Sequence, residues 1–182
     1  MDATTLSQII HQDGRYESPV NPVGHSGLRL HNRVLADVVG PDGRLKQHID
    51  HTGNVLCTWG LNRLAEMLAS DAGGASNWVS ACAIGTDTTA ANSTQDALGN
   101  STQIVHLSQA SMDASDAGSL TLQYNCTFAS NGQAAAIHEV GLFATNAATA
   151  KAVARSVLGT DSINRGTADE IRITYQVIMS TV

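Results

Sequence analysis

Apolar and polar residues alternate along most of this chain. From position 30 the pattern reads Leu30, Asn32, Val34, Ala36, Val38 on one side and Arg29, His31, Arg33, Leu35, Asp37 on the other, the period-two signature of a half-buried strand. Gly40-Pro41-Asp42-Gly43 follows, in which Pro presets φ and the final Gly takes a positive φ, so residues 44–50 return as a partner strand and a hairpin is predicted. The same alternation closes the chain: Ile171, Ile173, Tyr175, Val177 and Met179 share one face, opposite Arg172, Thr174 and Gln176. Between these lie strand-like runs at 78–84, 103–108, 119–128, 135–144 and 151–158. Turn clusters at Asp116-Ala117-Gly118, Ser130-Asn131-Gly132 and Arg165-Gly166 separate the later ones.

One stretch departs from this period. Leu61, Leu64, Ala65 and Leu68 recur at helical spacing, with Thr58 placed to cap the start and Asp71-Ala72-Gly73-Gly74 to stop the end. A helix over about 58–70 is predicted, and one so short needs its apolar stripe buried against a sheet. Residues 1–27 fit neither period, because Leu6, Ile9 and Ile10 make at most one amphipathic turn before Gly14, Pro19, Pro22, Gly24 and Gly27 break the pattern. The organisation expected is an extended N-terminal arm over 1–27 and a domain over 28–182. That domain is mainly β, a jelly-roll-like β-sandwich of about eight strands with one short α-helix. Residues 86–101 form a long polar loop pinned by Leu98, and loops of this length in compact domains usually serve function or touch a partner.

Composition narrows the class. Of the 182 residues only 14% are charged and 4% aromatic, and Ala, Ser, Thr, Gly and Asn fill the deficit, which suits sheet surfaces that pack against other protein and marks a subunit. A net charge of -6 with Lys and Arg scattered singly excludes nucleic acid as a partner, since phosphate attraction needs clustered cations. No apolar run is long enough for a membrane span and the start has no signal-peptide pattern, so assembly in a cytoplasm is expected. Cys57, Cys82 and Cys126 are odd in number with no CxxC pair and read as buried free thiols in a reducing compartment.

Candidate chemistry is sparse. His48 and His51 stand three apart on a strand, which points them to opposite faces, and no third ligand is spaced to join them. They are read as surface histidines, and His106 and His138 as hydrogen-bonded structural ones. Neither a G-x-S-x-G elbow nor a phosphate-binding glycine loop occurs, and Asp113, Asp116 and Asp169 sit in turn-like contexts that favour Asp anyway. No catalytic, cofactor-binding or metal-binding residue is assigned, no cofactor is expected, and the chain is read as a non-enzyme. Structural weight falls on Glu139-Val140-Gly141-Leu142-Phe143 and on Arg155. Gly141 in a strand marks a bulge or close approach of another backbone. Glu139, drawn inward by Val140, Leu142 and Phe143, needs a partner, and Arg155 and Arg172 are the candidates.

A longer order of short motifs carries a resemblance. The Asp42-Gly43 hairpin, Asn54-Val55, Gly60-Leu61-Asn62-Arg63-Leu64-Ala65, Ala83-Ile84-Gly85-Thr86 with a Thr-rich loop to Leu98-Gly99-Asn100, Glu139-Val140-Gly141-Leu142-Phe143, Ala154-Arg155 and Ile171-Arg172-Ile173-Thr174-Tyr175 together resemble small structural proteins of tailed bacteriophages. The Glu-Val-Gly-Leu-Phe element is also similar to one in phage tail-collar fibre domains. The resemblance implies a virion component without catalysis, assembled in the host cytoplasm, oligomeric (trimers are common among such accessory subunits), with the major capsid protein or tail proteins as partners.

No repeat of a fibre shaft is present, so a capsid decoration or cement protein is favoured. Its arm would clamp shell subunits through Leu6, Ile9, Ile10 and Val20, over a contact of about 1,000 Å² or more. The alternative is a tail, baseplate or fibre-associated protein that binds a receptor or glycan with Trp78 and the 86–101 loop. An enzyme is the weaker rival, since it requires carboxylates or histidines that converge in a pocket.

Overall fold

The alternating runs become strands that pair into two five-stranded antiparallel sheets. A computed structural model describes residues 28–53, 55–62, 79–113, 119–144 and 150–181; the expected arm with Leu6, Ile9, Ile10 and Val20, most of the expected helix, and Trp78 lie outside the described residues. The first hairpin is β1 (Leu28–Val39) and β2 (Leu45–Thr52). Its turn closes through Gly43 N–H donating to Gly40 O at 2.9 Å, with Gly43 at φ 78°, a conformation that glycine adopts without strain. β1 is flanked on its other side by β12 (Glu170–Thr181), with Val34 opposite Tyr175 and Ala36 opposite Ile173. β7 (Ser119–Phe128) and β6 (Gln109–Asp113) complete the sheet in the order β2-β1-β12-β7-β6.

The second sheet runs β3 (Val55–Leu56), β10 (Ala152–Val157), β9 (Glu139–Phe143), β4 (Ala81–Gly85), β5 (Ser101–His106). A small pair, β8 (Ala135–Ile137) with β11 (Ile163–Arg165), stands apart from both. One apolar cluster joins the sheets. Val34, Ala36, Phe128, Ile171, Ile173 and Tyr175 from the first pack with Cys82, Ile84, Val140, Leu142 and Ala154 from the second. This is the sandwich that the alternation implied. The β1–β2, β4–β5, β6–β7 and β9–β10 hairpins each stay within one sheet, whereas a jelly roll passes successive strands between sheets.

Twelve strands are present among the described residues where about eight were expected. The run 135–144 accounts for part of the difference, because it is two strands in different sheets. At His138 the chain leaves β11 and joins β4 and β10, with His138 N–H donating to Gly85 O and His138 O accepting from Leu158 N–H. β3, β6, β8 and β11 are short or mixed in character, and their pairing depends on distant partners rather than on local pattern.

The centre of the second sheet is buried on both faces: every residue of β4 and β9 is buried. Its outer side carries Ala81, Ala83, Phe143 and Ala152, packed with Cys57 and Leu98 in a second apolar cluster. Residues 86–100 and the start of the helix at 58 lie over this face. Cys57 O accepts the first helical bond from Leu61 N–H, so Cys57 holds the cap position expected of Thr58. Thr58 instead donates both its amide and its hydroxyl to Ser93 O, tying the helix start to the loop. Gly60 lies so close to β10 that a Cβ there would fall 2.3 Å from Val153 O.

Candidate functional site

Register alone sets up the most polar place in the interior. On the outer face of the second sheet Gly85, Glu139 and Val157 form one row, and Ala83, Gly141 and Arg155 the next. Glu139 and Arg155 are thus diagonal neighbours across β9 and β10, and both are fully buried. Arg155 Nε donates to Glu139 Oε2 at 2.9 Å, and Nη2 lies 2.9 Å from the same oxygen as an ion pair. Arg155 Nη1 donates to Gln95 Oε1 at 2.7 Å, and Nη2 also reaches Asp87 Oδ2 at 2.9 Å.

Glu139 is held from the other side by backbone. The amides of Asn100 at 2.8 Å, Gly99 at 3.0 Å and Asp87 at 3.3 Å all donate to its carboxylate. Burying these charges is tolerable because each finds a partner. Two glycines make the room. A Cβ at Gly85 would lie 2.3 Å from Glu139 Oε1, and one at Gly99 would fall on the Asp87 carboxylate.

The result is a loop fastened along its length. Asp87 also accepts from the Thr89 amide and hydroxyl at 3.1 and 2.9 Å, and these bonds, with Arg155 adding, hold its carboxyl below the usual range. Gln95 Oε1 takes the Asn92 amide at 2.8 Å, Asp96 O takes the Ala152 amide, and Asp96 pairs with Lys151, which lowers the Asp96 pKa. Leu98 enters the space that Gly141 leaves free, where a Cβ would lie 2.8 Å from Leu98 Cδ2. Gly141 therefore admits a side chain as well as the backbone that its strand position suggested, since the same Cβ would lie 3.2 Å from Ala154 O. Phe143 packs beside it in the same cluster.

Of the two expected partners of Glu139, Arg155 is the one found. Arg172 faces solvent and bonds to Glu170 Oε1 at 2.7 Å. Leu98 was legible as the pin of the loop. Asp87, Gln95, Gly99 and Asn100 were not, and the only hint was a pair of charges, Glu139 and Arg155, set in otherwise apolar strands.

The histidines do not converge. His48 Nδ1 lies 2.6 Å from Asp37 Oδ1 on the exposed face of the first sheet. His51 pairs with Val34 on the other side, and its Nε2 is shielded without a partner. His106 ends β5, exposed. His138, expected to be hydrogen-bonded through its ring, has Nδ1 shielded and unpartnered; its backbone makes the bonds. Asp169 accepts from Lys46 Nζ at 2.6 Å and the Gly166 amide at 2.9 Å, Asp113 ends β6, and Asp116 lies outside the described residues.

Among the described residues no three His, Cys, Asp or Glu side chains could hold a metal ion, and no helix is long and apolar enough to cross a membrane. A shallow depression of about 290 Å³ opens beside the loop, lined by Gly53, Val55, Thr88, Ala90, Ala91, Val157 and Gly159. That lining contains no ionisable side chain, so it offers no acid or base. What the buried cluster does chemically is fix a surface loop. No protein-family model, curated protein or solved structure matches this chain.

Proposed function

We propose that the chain is a non-enzymatic structural subunit of a tailed-phage virion, a capsid decoration protein whose sandwich is the rigid body and whose residues 1–27 grip neighbouring shell subunits. The observation that carries this reading is the Arg155–Glu139–Asp87 cluster, which spends its charges on holding a loop. The loop exposes Thr88, Thr89, Ala90, Asn92 and Thr94, small and uncharged residues, with the Asp96–Lys151 pair as the charge beside them. Because folding has already ordered it, docking costs little further conformational entropy.

A second surface has the same character. On the exposed face of the first sheet Gln176 donates to Gln123 at 3.0 Å, Thr174 to Asn125 at 2.9 Å and Asn125 to Gln109 at 3.4 Å. This ladder crosses three strands, β12, β7 and β6, without charge. Protein quantitation on purified particles tests the reading: a fixed ratio to the main shell protein is expected, and recovery only in the soluble lysate would refute it.

The tail-associated, glycan-binding alternative draws on the depression beside Thr88, Ala90 and Ala91. Saturable binding of the intact protein on a glycan array would favour it over the clamp.

A further inference from the structure

The chain buries two arginines and treats them differently. Arg155 is met by Glu139, Gln95 and Asp87, so each of its nitrogens has an acceptor. Arg165, the last residue of β11, is 3% exposed and makes no ion pair among the described residues. Its Nη1 donates to Gln103 Oε1 at 2.8 Å, and its Nε is shielded without a partner.

The backbone fixes where this guanidinium sits. Ile163 and Arg165 share the buried face of β11, and Ile163 belongs to the cluster between the sheets. The strand is tied to β2 by Gln47, which donates to Ser162 O and accepts from the Asn164 amide, both at 2.8 Å. Gln103 reaches Arg165 from β5, the edge of the second sheet. The nearest buried carboxylate in sequence, Asp169, is already occupied: Oδ1 accepts from Lys46 Nζ at 2.6 Å and Oδ2 from the Gly166 amide at 2.9 Å.

A buried cation without a counter-charge is costly. The edge of Arg165 left open, Nε with Nη2, is the edge by which Arg155 meets Glu139, and it matches two oxygens of one carboxylate. We propose that Arg165 is the receptor for a carboxylate supplied by another molecule, held at Nε and Nη2 while Gln103 fixes the opposite nitrogen. One arginine offers one charge, which a carboxylate neutralises. A phosphate dianion would leave a second negative charge uncompensated in a shielded place. The inference stands apart from the virion reading.

The test uses the full chain at pH 7 and constant ionic strength, with sodium acetate replacing sodium chloride. The Arg165 Nε–H resonance should shift and saturate with a dissociation constant of about 1–10 mM, and the melting temperature should rise by about 3 °C or more at about 100 mM acetate. Phosphate should bind at least about ten-fold more weakly, and Arg165→Met should show no acetate-dependent rise. N-acetylglutamate amide separates the sources: binding tighter than acetate identifies an acidic side chain as the donor, and weaker binding a small free carboxylate. An Nε–H resonance that acetate does not move, an equal response to phosphate, or a rise that persists in Arg165→Met would overturn the proposal. The first two are read on the wild-type chain, whether or not the variant folds.

Discussion

Arg155 and Glu139 meet at 2.9 Å with neither side chain exposed, on a strand surface otherwise made of alanine, glycine, valine and phenylalanine. An ion pair in such a place gains little on its own, because removing each charge from water costs several kcal/mol. Here three backbone amides, Gln95 and Asp87 supply the missing partners. The pair is therefore best understood as the anchor of loop 86–100, and its loss leaves a buried charge alone.

Arg155→Met should lower unfolding stability by about 3–5 kcal/mol, measured by urea denaturation. Glu139→Gln should cost less, since its amide oxygen still accepts from one of the loop amides. The double variant should cost clearly less than the sum of the two singles, because each single change strands the other member of the pair and the double change strands neither. Additive costs would mean that the two groups act separately.

Gly85 and Gly141 should respond differently to alanine. At Gly85 the new methyl meets Asn100 O at 2.5 Å as well as the Glu139 carboxylate, and backbone cannot yield, so about 3 kcal/mol is expected. At Gly141 the nearest atom is the far end of Leu98, with Phe143 Cε2 at 3.0 Å and Ala154 O at 3.2 Å behind it; Leu98 can rotate away and the other two need give only a few tenths of an ångström, so a smaller cost of about 1–2 kcal/mol is expected. Thermal melts of the two variants give the order directly.

How much of this was legible follows from the range of each interaction. The β1–β2 hairpin is written in Gly40-Pro41-Asp42-Gly43, and the inward face of β12 in the alternation from Ile171 to Val177; both are local and both are found. The break at His138 is invisible locally, since Ala135 to Phe143 reads as one apolar run and only the competing partners β11 and β4 divide it. The brace hides for the same reason. Asp87 and Arg155 lie 68 positions apart, and nothing near Asp87 distinguishes it from any other polar loop residue.

Acid should weaken the fold partly through Asp169. Its side chain is 4% exposed beside Lys46, and the Lys46 bond first, then the Gly166 amide, hold its carboxyl below the usual value. A lowered folded pKa supplies stability that is complete above the unfolded value of about 3.9 and fades as pH falls through the folded one. Asp169→Asn should therefore melt lower than wild type at pH 6, with the gap closing as pH drops from 4 towards 2. A gap that stays constant over that range would remove Asp169 from the account.

The central claim is adhesion to a larger particle, and occupancy on shells that lack this protein tests it most directly. The measurement compares the full chain with a full-length variant carrying Leu6→Asp, Ile9→Asp, Ile10→Asp and Val20→Asp. The wild-type chain is expected to saturate at a fixed ratio to shell subunits, and the variant to bind at least about ten-fold more weakly, a loss of about 1.4 kcal/mol. Failure of the wild-type chain to bind, or equal occupancy by the variant, would contradict the account.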